Sequence, residues 1–546
     1  MTEHAGGRFG LHGPKCWVIS ICVGLGLGAL SGTIWPGHYE PATPEAAAEV
    51  AVEASLPHDA PAAEHPTEAD PAATHTATHD TPHAGVLNAP PEDAPAANLG
   101  GHVAKGHEAS GPAPEIPLIL VAPFALLLAS IALMPFINAR IWHHHYPDFA
   151  FALGGLITGY YLTGFGQAGY LPGESYGVYK LIHTGHEYFA FMALVGGLYV
   201  ASGGVHIDVR GRGGPVVNTI MLAIGAVMAN VMGTTGASVL LIRPFLRVNK
   251  GRIRPIHIVM FIFIVSNCGG ALTPIGDPPL YLGFLKGVPF LWTAQHLIPM
   301  WATCIGLLLA IFFVVDSRVT EIDPYPHPGT QTGVKITGVP AMIALALIIG
   351  GVFIDPLLEK YAGIEGLPIG PAFQVVVAAV AYIVADREIH EANGFDLNPA
   401  KEVALLFIGI FATMTPALGY LGAHGKALGL DSPTAFYFGT GSLSAVLDNA
   451  PTYLNFLQVS FGDTEINAAT VQAYLSTGTG VSSLAAISLG AVFFGAMTYI
   501  GNGPNFMIKS IADASGIKMP SFFGYVLRAA VLLLPVLVAV WAIFLR

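Results

Sequence analysis

From Pro117 to the C-terminus, mostly apolar segments of about 20 residues, the length that crosses a hydrocarbon core, follow one another along the chain. No other feature constrains the fold as strongly. In lipid every backbone polar group must be satisfied inside the protein, which leaves helices and closed barrels. Only 11% of residues are charged and 53% are apolar, against roughly 25% charged in soluble domains. The sequence therefore predicts an all-α polytopic membrane protein rather than a soluble enzyme. The 65 glycines and 41 prolines are too many for plain spanning helices. Several interrupt apolar runs, where broken backbone needs protein or a cavity around it, and a transport site is the expected reason.

The N-terminal segment is organised differently. Arg8 and Lys15 precede an apolar run from Cys16 to Leu30 and the small residues Ala29 to Gly32. Residues 1–35 are expected to form a signal peptide or N-terminal membrane anchor. Residues 36–114 are rich in Ala, Pro, Glu, Thr and His, too poor in apolar side chains to offset ordering entropy, and are expected to be a disordered tail. Its acids account for much of the net charge of -12. Its eight histidines (His38, His58, His65, His75, His79, His83, His102 and His107) are irregularly spaced and have no cysteine among them, so a solvated spacer is a better reading than a metal site. Cys16, Cys22, Cys268 and Cys304 all lie in apolar segments and form no disulfide framework.

Orientation follows from lysine and arginine, which are enriched in cytoplasmic loops. Arg140, Arg210 with Arg212, Arg318 with Lys335, Arg387 with Lys401, and Lys509 with Lys518 fall on one side if spans alternate. The loops around Glu174, Glu359 to Glu365 and Asp463 to Glu465 fall on the other, which places the tail in the periplasm of a bacterial inner membrane. The stretch from Val216 to Ile242 breaks the alternation. Arg210 and Arg212 precede it, and Arg243, Arg247, Lys250, Arg252 and Arg254 follow it. A segment with both ends on one side must be a re-entrant hairpin, here turning near Asn230 to Gly236. Thr434 to Val459, flanked by Asp431 and by Asp463 and Glu465, is expected to be a second hairpin entering from the outer side.

A duplicated motif follows the two hairpins. Thr273-Pro274-Ile275-Gly276-Asp277-Pro278-Pro279 and Thr498-Tyr499-Ile500-Gly501-Asn502-Gly503-Pro504 share Thr-x-Ile-Gly-(Asp/Asn)-x-Pro. The hairpin tips align as Ala226 to Asn230 against Ala445 to Asn449, followed by Thr234 and Thr452, so Asp448 stands opposite Ala229. Two matches in the same order indicate an internal duplication, and the flanking charges give the copies opposite orientation, so inverted structural repeats with two re-entrant hairpins and two broken helices are expected. Gly and Pro inside such helices free carbonyls for a cation. Asn230, Thr234, Ser266, Asn267, Thr273, Asn449, Thr452, Thr498, Asn502 and Asn505 add neutral oxygens of the kind a sodium-sized ion prefers.

Each half also supplies one carboxylate, Asp277 and Asp448. A charge at the bilayer centre costs roughly 2.5–3.5 kcal/mol on insertion scales and is rarely kept without a role. Desolvation favours a protonated carboxyl and a bound cation favours an ionised one, so proton and cation compete at such a group. Asp277 could instead cap the helix that Pro278 opens. Other membrane charges read as structural: His186 and Glu187 as the start of an outer-side helix, Glu402 as the start of the helix from Val403 to Leu418, and Arg528 as a snorkelling side chain.

At Ser266-Asn267 with Thr273 to Pro279, Leu447-Asp448-Asn449-Ala450-Pro451-Thr452, and Gly501-Asn502-Gly503-Pro504-Asn505, the chain resembles the NhaD-type sodium/proton antiporters. These belong to the ion transporter superfamily that includes citrate, dicarboxylate and arsenite carriers. The resemblance covers about 117–546 and implies a homodimeric, elevator-type transporter with repeats over about 184–316 and 402–546. It also implies sodium or lithium and protons as cargo, no cofactor, and no nucleic-acid partner. The dicarboxylate carriers use Ser-Asn-Thr triplets at both sites, whereas this chain has Ser266-Asn267-Cys268 at the first and none at the second.

Overall fold

The computed structural model describes residues 14–34, 114–165, 168–171, 174–319, 333–364 and 366–546. The expected tail, apart from Pro114, and the first 13 residues lie outside these. The described chain is helical, with two short antiparallel ribbons: β1 (Ala168–Leu171) with β2 (Glu174–Ser175), and β3 (His206–Arg210) with β4 (Gly333–Thr337).

Three helices precede the repeats: α1 (Pro14–Ile34), α2 (Ala122–Ile137) and α3 (Ala139–Gly164). Gly24 and Gly28 of α1 sit against the α3 backbone at Ala152 and Leu156, and Gly155 and Gly159 of α3 sit against the α1 backbone. Small residues four apart let helix backbones approach closely, which is how helices associate in lipid without a hydrophobic driving force.

The first half contains α4 (Tyr176–Gly203), α5 (Pro215–Val248), α6 (Pro255–Ile264), α7 (Pro278–Leu285) and α8 (Trp292–Ser317). A connecting layer follows: α9 (Val339–Gly351), α10 (Ile354–Ala362), α11 (Ile369–Val384) and α12 (Arg387–Asn393). The second half contains α13 (Asn398–His424), α14 (Pro433–Ser444), α15 (Asn449–Phe461), α16 (Ala468–Leu475), α17 (Gly478–Phe494), α18 (Gly503–Ala514), α19 (Phe522–Leu532) and α20 (Leu534–Phe544). Proline sits in the first turn of α5, α6, α7, α14 and α18, where its missing N–H leaves no intrahelical bond unmade.

By length and composition, six helices among the described residues could cross a membrane, or eight if the bent pairs α9–α10 and α11–α12 each count as one. One of the six, α5, does not cross. A straight helix of its 34 residues would be about 51 Å long. Its ends instead meet: Gly213 N donates to Val248 O at 2.6 Å, and the Asn218 and Asn249 amides bond each other at 2.8 Å. The fold-back is at Gly233, whose φ of 78° and ψ of 154° suit glycine alone. The second hairpin is α14 and α15, joined through 445–448, with Gly439 of one arm against Phe456 of the other.

Two broken spans, α6–α7 and α17–α18, have their unwound loops at 265–277 and 495–502. The halves are inverted, and the crossing of α4 and α13 establishes it. Thr184 meets Thr415, Phe191 stacks on Phe407, and Tyr199 bonds Asp396 O, so the two helices run antiparallel. Each leads from its C-terminus into its own hairpin, so the hairpin bases lie at opposite ends.

A buried polar knot ties the base of the first hairpin. Asp316 at the end of α8 holds Arg252 (2.8 Å) and His257 (2.8 Å) with Oδ1 and Asn218 (2.7 Å) with Oδ2. Arg252 also donates to Asn249 Oδ1. The sequence reading counts Arg252 among loop cations, but it is only 6% exposed. Glu187 likewise does not begin a helix. α4 starts at Tyr176, capped by Ser175, and Glu187 lies in its interior, 2.6 Å from Lys286 Nζ. Glu402 sits inside α13 rather than at its start, and Arg528 donates back to Gly524 O.

Candidate functional site

Both hairpin tips and both unwound loops converge on Asp277, which is fully buried. Position makes Asp277 the N-cap of α7, but its side chain makes no capping bond. Thr234, just past the fold-back of the first hairpin, donates to Oδ1 at 2.7 Å. Asn502 of the second broken span donates to the same oxygen at 3.1 Å. Asn449, the first residue of α15, donates to Oδ2 at 2.5 Å. Among the described residues no Lys, Arg or His pairs with this carboxylate.

The tip register differs from the alignment read in the sequence. Thr273 donates to Asn230 O at 2.6 Å and Thr498 donates to Ala445 O at 2.6 Å. Equivalent threonines thus grip Asn230 and Ala445, which makes those two the matching positions. Thr234 then matches Asn449, and both donate to Asp277. Asp448 matches Gly233 at the fold-back rather than Ala229. The alignment of Asn230 with Asn449 follows a shared residue type, whereas the backbone contacts put the repeats four residues out of that register.

Six of the twelve sequence-selected residues close the site or line it: Thr234, Asn267, Asp277, Asn449, Asn502 and Asn505. Asn267 donates to Asn505 Oδ1 at 2.7 Å and to Ile262 O, while its own Oδ1, fully buried, has no hydrogen-bond partner among the described residues. Asn505 donates to Gly495 O and Thr498 O, holding the second loop open. Asp448 caps α15 through Ala450 N and lies within electrostatic range of Asp277.

The remaining five brace the backbone. Asn230 donates to Ala226 O and Gly269 O and accepts from Leu272 N. Thr273 and Thr498 also accept from Gly276 N and Gly501 N. Ser266 Oγ pairs with Ser238 Oγ, though Ser266 O accepts from Asn502 at 3.4 Å. Thr452 bonds back to Asp448 O within its helix.

The sequence reading missed two glycine pairs. A Cβ on Gly276 would collide with Gly270 O, and one on Gly501 with Gly495 O, so each loop closes on itself through two glycines. Gly270 and Gly495 precede the shared motif by the same interval, a signal that was present in the sequence.

Electrostatically the site has two kinds of backbone end. The N-termini of α7, α15 and α18 point in, and such ends attract negative charge. Asp448 caps that of α15, while Asp277 stands at the start of α7 without a side-chain capping bond. The C-terminal ends of α6 and α17 bring carbonyls and the unpaired Asn267 oxygen, an arrangement suited to a cation.

No curated protein matches the chain. Residues 113–545, well over half of it, match the family CitMHS_2, described as "Putative citrate transport". The chain therefore belongs to that family, within the citrate and arsenite ion transporter superfamily, and is a multi-pass membrane secondary transporter.

Proposed function

We propose that the protein exchanges sodium or lithium for protons, as the NhaD-type antiporters it resembles do, by elevator-like movement of the hairpins and broken spans. The observation that carries this reading is Asp277: a fully buried carboxylate held by three neutral donors and, among the described residues, by no basic side chain. A buried acid in this setting is stable either with a proton or with a bound cation. Binding one expels the other, which is the coupling that exchange requires. Asn267 Oδ1 and the loop carbonyls supply further oxygen ligands of the type sodium accepts. We place the protein in a bacterial inner membrane with its basic loops on the cytoplasmic side.

The family description favours a second reading, sodium-coupled uptake of citrate or a similar carboxylate. Of the helix N-termini that would receive a substrate carboxylate, that of α15 is already capped by Asp448, and an ionised Asp277 at the start of α7 would repel an anion. Arsenite efflux shares the fold and belongs in the same test. In inside-out vesicles energised with a proton gradient, sodium or lithium is expected to dissipate the gradient through the wild type but not through Asp277→Asn. Uptake of labelled citrate, or a response to arsenite alone, would overturn the antiport reading.

A further inference from the structure

Glu187, which the sequence assigns to a helix start, lines a cavity that the site above does not use. The cavity has a volume of about 180 Å³ and lies between α4, α7 and the α9–α11 layer, with Ile364, Gly366, Leu367 and Pro368 among its lining residues. It sits on the far side of the first hairpin's tip from that hairpin's base: α4 passes the tip at Leu194 to Tyr199, while Glu187 lies two turns or more before it. Its polar side chains are Glu187, Asp355, Gln374, Tyr281, His183 and His186. Gln374 is only 1% exposed. Its Nε2 donates to Ile348 O at 3.0 Å, but its Oε1 has no hydrogen-bond partner among the described residues. A buried amide oxygen without a donor is costly, and on a side chain that lines a cavity a turn of the amide would offer that oxygen to a cation or its water.

Glu187 is held by Lys286 at 2.6 Å and His183 at 3.3 Å. Asp355 accepts from Gly370 N at 2.7 Å. The described residues contain no group of three or more His, Cys, Asp or Glu able to hold a metal ion, so this is not a chelating centre. The volume instead suits a monovalent cation that keeps part of its hydration, since a single water needs only about 10–15 Å³ by the same measure.

Tyr281 of α7 connects this cavity to the site. It lines the 180 Å³ cavity and also a second one of about 30 Å³, whose walls include Thr234, Gly276 and Pro278. Tyr281 thus borders both, with its hydroxyl donating across to Ala190 O of α4 at 3.3 Å. Thr234 is the residue that donates to Asp277.

We propose that the larger cavity is a second cation subsite, where a partly hydrated sodium ion waits at the Gln374 oxygen before passing Tyr281 to reach Asp277. This rests on the antiport reading for the identity of the ion but not for the route. Two experiments separate these parts. The first measures the sodium concentration for half-maximal exchange from each side of oriented vesicles, in wild type, Gln374→Leu and Gln374→Glu. Gln374→Leu is expected to raise it about ten-fold only when sodium is presented at the face bearing Leu367 and Pro368, with Gln374→Glu restoring it. Equal changes from both faces, or none, would overturn the subsite. Wild type without any sodium-dependent exchange would instead sink the antiport reading.

The second experiment uses Leu198→Cys, in the wall of the small cavity, in a chain whose own four cysteines are serine. A small, membrane-impermeant cationic thiol reagent is added at the same face, with no sodium needed. Tyr281→Ala is expected to speed labelling at least about ten-fold over Tyr281→Phe and the parent, whereas identical rates would show that Tyr281 partitions nothing.

Discussion

At Asp277 the two carboxylate oxygens are divided between repeats: Oδ1 takes Thr234 and Asn502, and Oδ2 takes Asn449. The donors are neutral, so replacing one weakens the ionised carboxylate without stranding a charge. Asn449→Ala is expected to cost about 1.5–3 kcal/mol, read as roughly a ten-fold or greater rise in the sodium concentration for half-maximal exchange. Asn230 was selected from the sequence on the same footing, yet it bonds only backbone. Asn230→Ala is expected to lower the unfolding temperature in detergent while leaving sodium affinity in the surviving protein close to that of wild type. If Asn230→Ala instead moves affinity and spares stability, the register deduced from Thr273 and Thr498 is wrong. Asn and Thr are equally good as ligands and as backbone braces, so residue type alone could not separate these roles.

Among the elements, the first hairpin depends on one backbone conformation and one polar knot. Gly233 holds φ 78° with ψ 154°, a region closed to side chains. Gly233→Val is expected to destabilise the fold and reduce exchange, with a loss of about 1–3 kcal/mol seen as a lower midpoint of thermal unfolding. At the hairpin base, Arg252→Ala leaves Asp316 buried with His257 and Asn218 but without its permanent cation. Truncating one partner of a buried pair costs about 3–5 kcal/mol, so this variant is expected to express poorly or to unfold at markedly lower temperature. Normal folding of Arg252→Ala would show that the knot is not what pins the hairpin ends. Flanking charge alone revealed both hairpins in the sequence. It did not reveal that one of those charges turns inward, because Asp316 is distant in sequence and its partner cannot be named until α8 returns to the hairpin base.

For the whole molecule, the inverted halves place one acid where both tips meet, and the proposed exchange requires protons and cations to share it. As pH falls the carboxyl takes up a proton, the proton excludes the cation, and more sodium is needed for the same rate. The sodium concentration for half-maximal exchange is therefore expected to rise as pH is lowered on the cation-binding side, approaching a ten-fold rise per pH unit at the acid end. A half-maximal concentration independent of pH, measured in proteoliposomes of fixed gradient, would rule out competition at a common site.

The sequence by itself determined the membrane class, the two hairpins, the two broken spans and a pair of candidate acids, Asp277 and Asp448. These are local properties: apolar length, flanking charge, and Gly or Pro inside an apolar run act on the segment that carries them. Tertiary structure decided which repeat positions are equivalent, which asparagines face Asp277, and that Glu187 and Gln374 border a cavity. Those depend on contacts such as Thr498 with Ala445 O and Glu187 with Lys286, between segments far apart in the chain. No periodicity or spacing encodes them, because burial and hydrogen-bond direction exist only once the helices have packed.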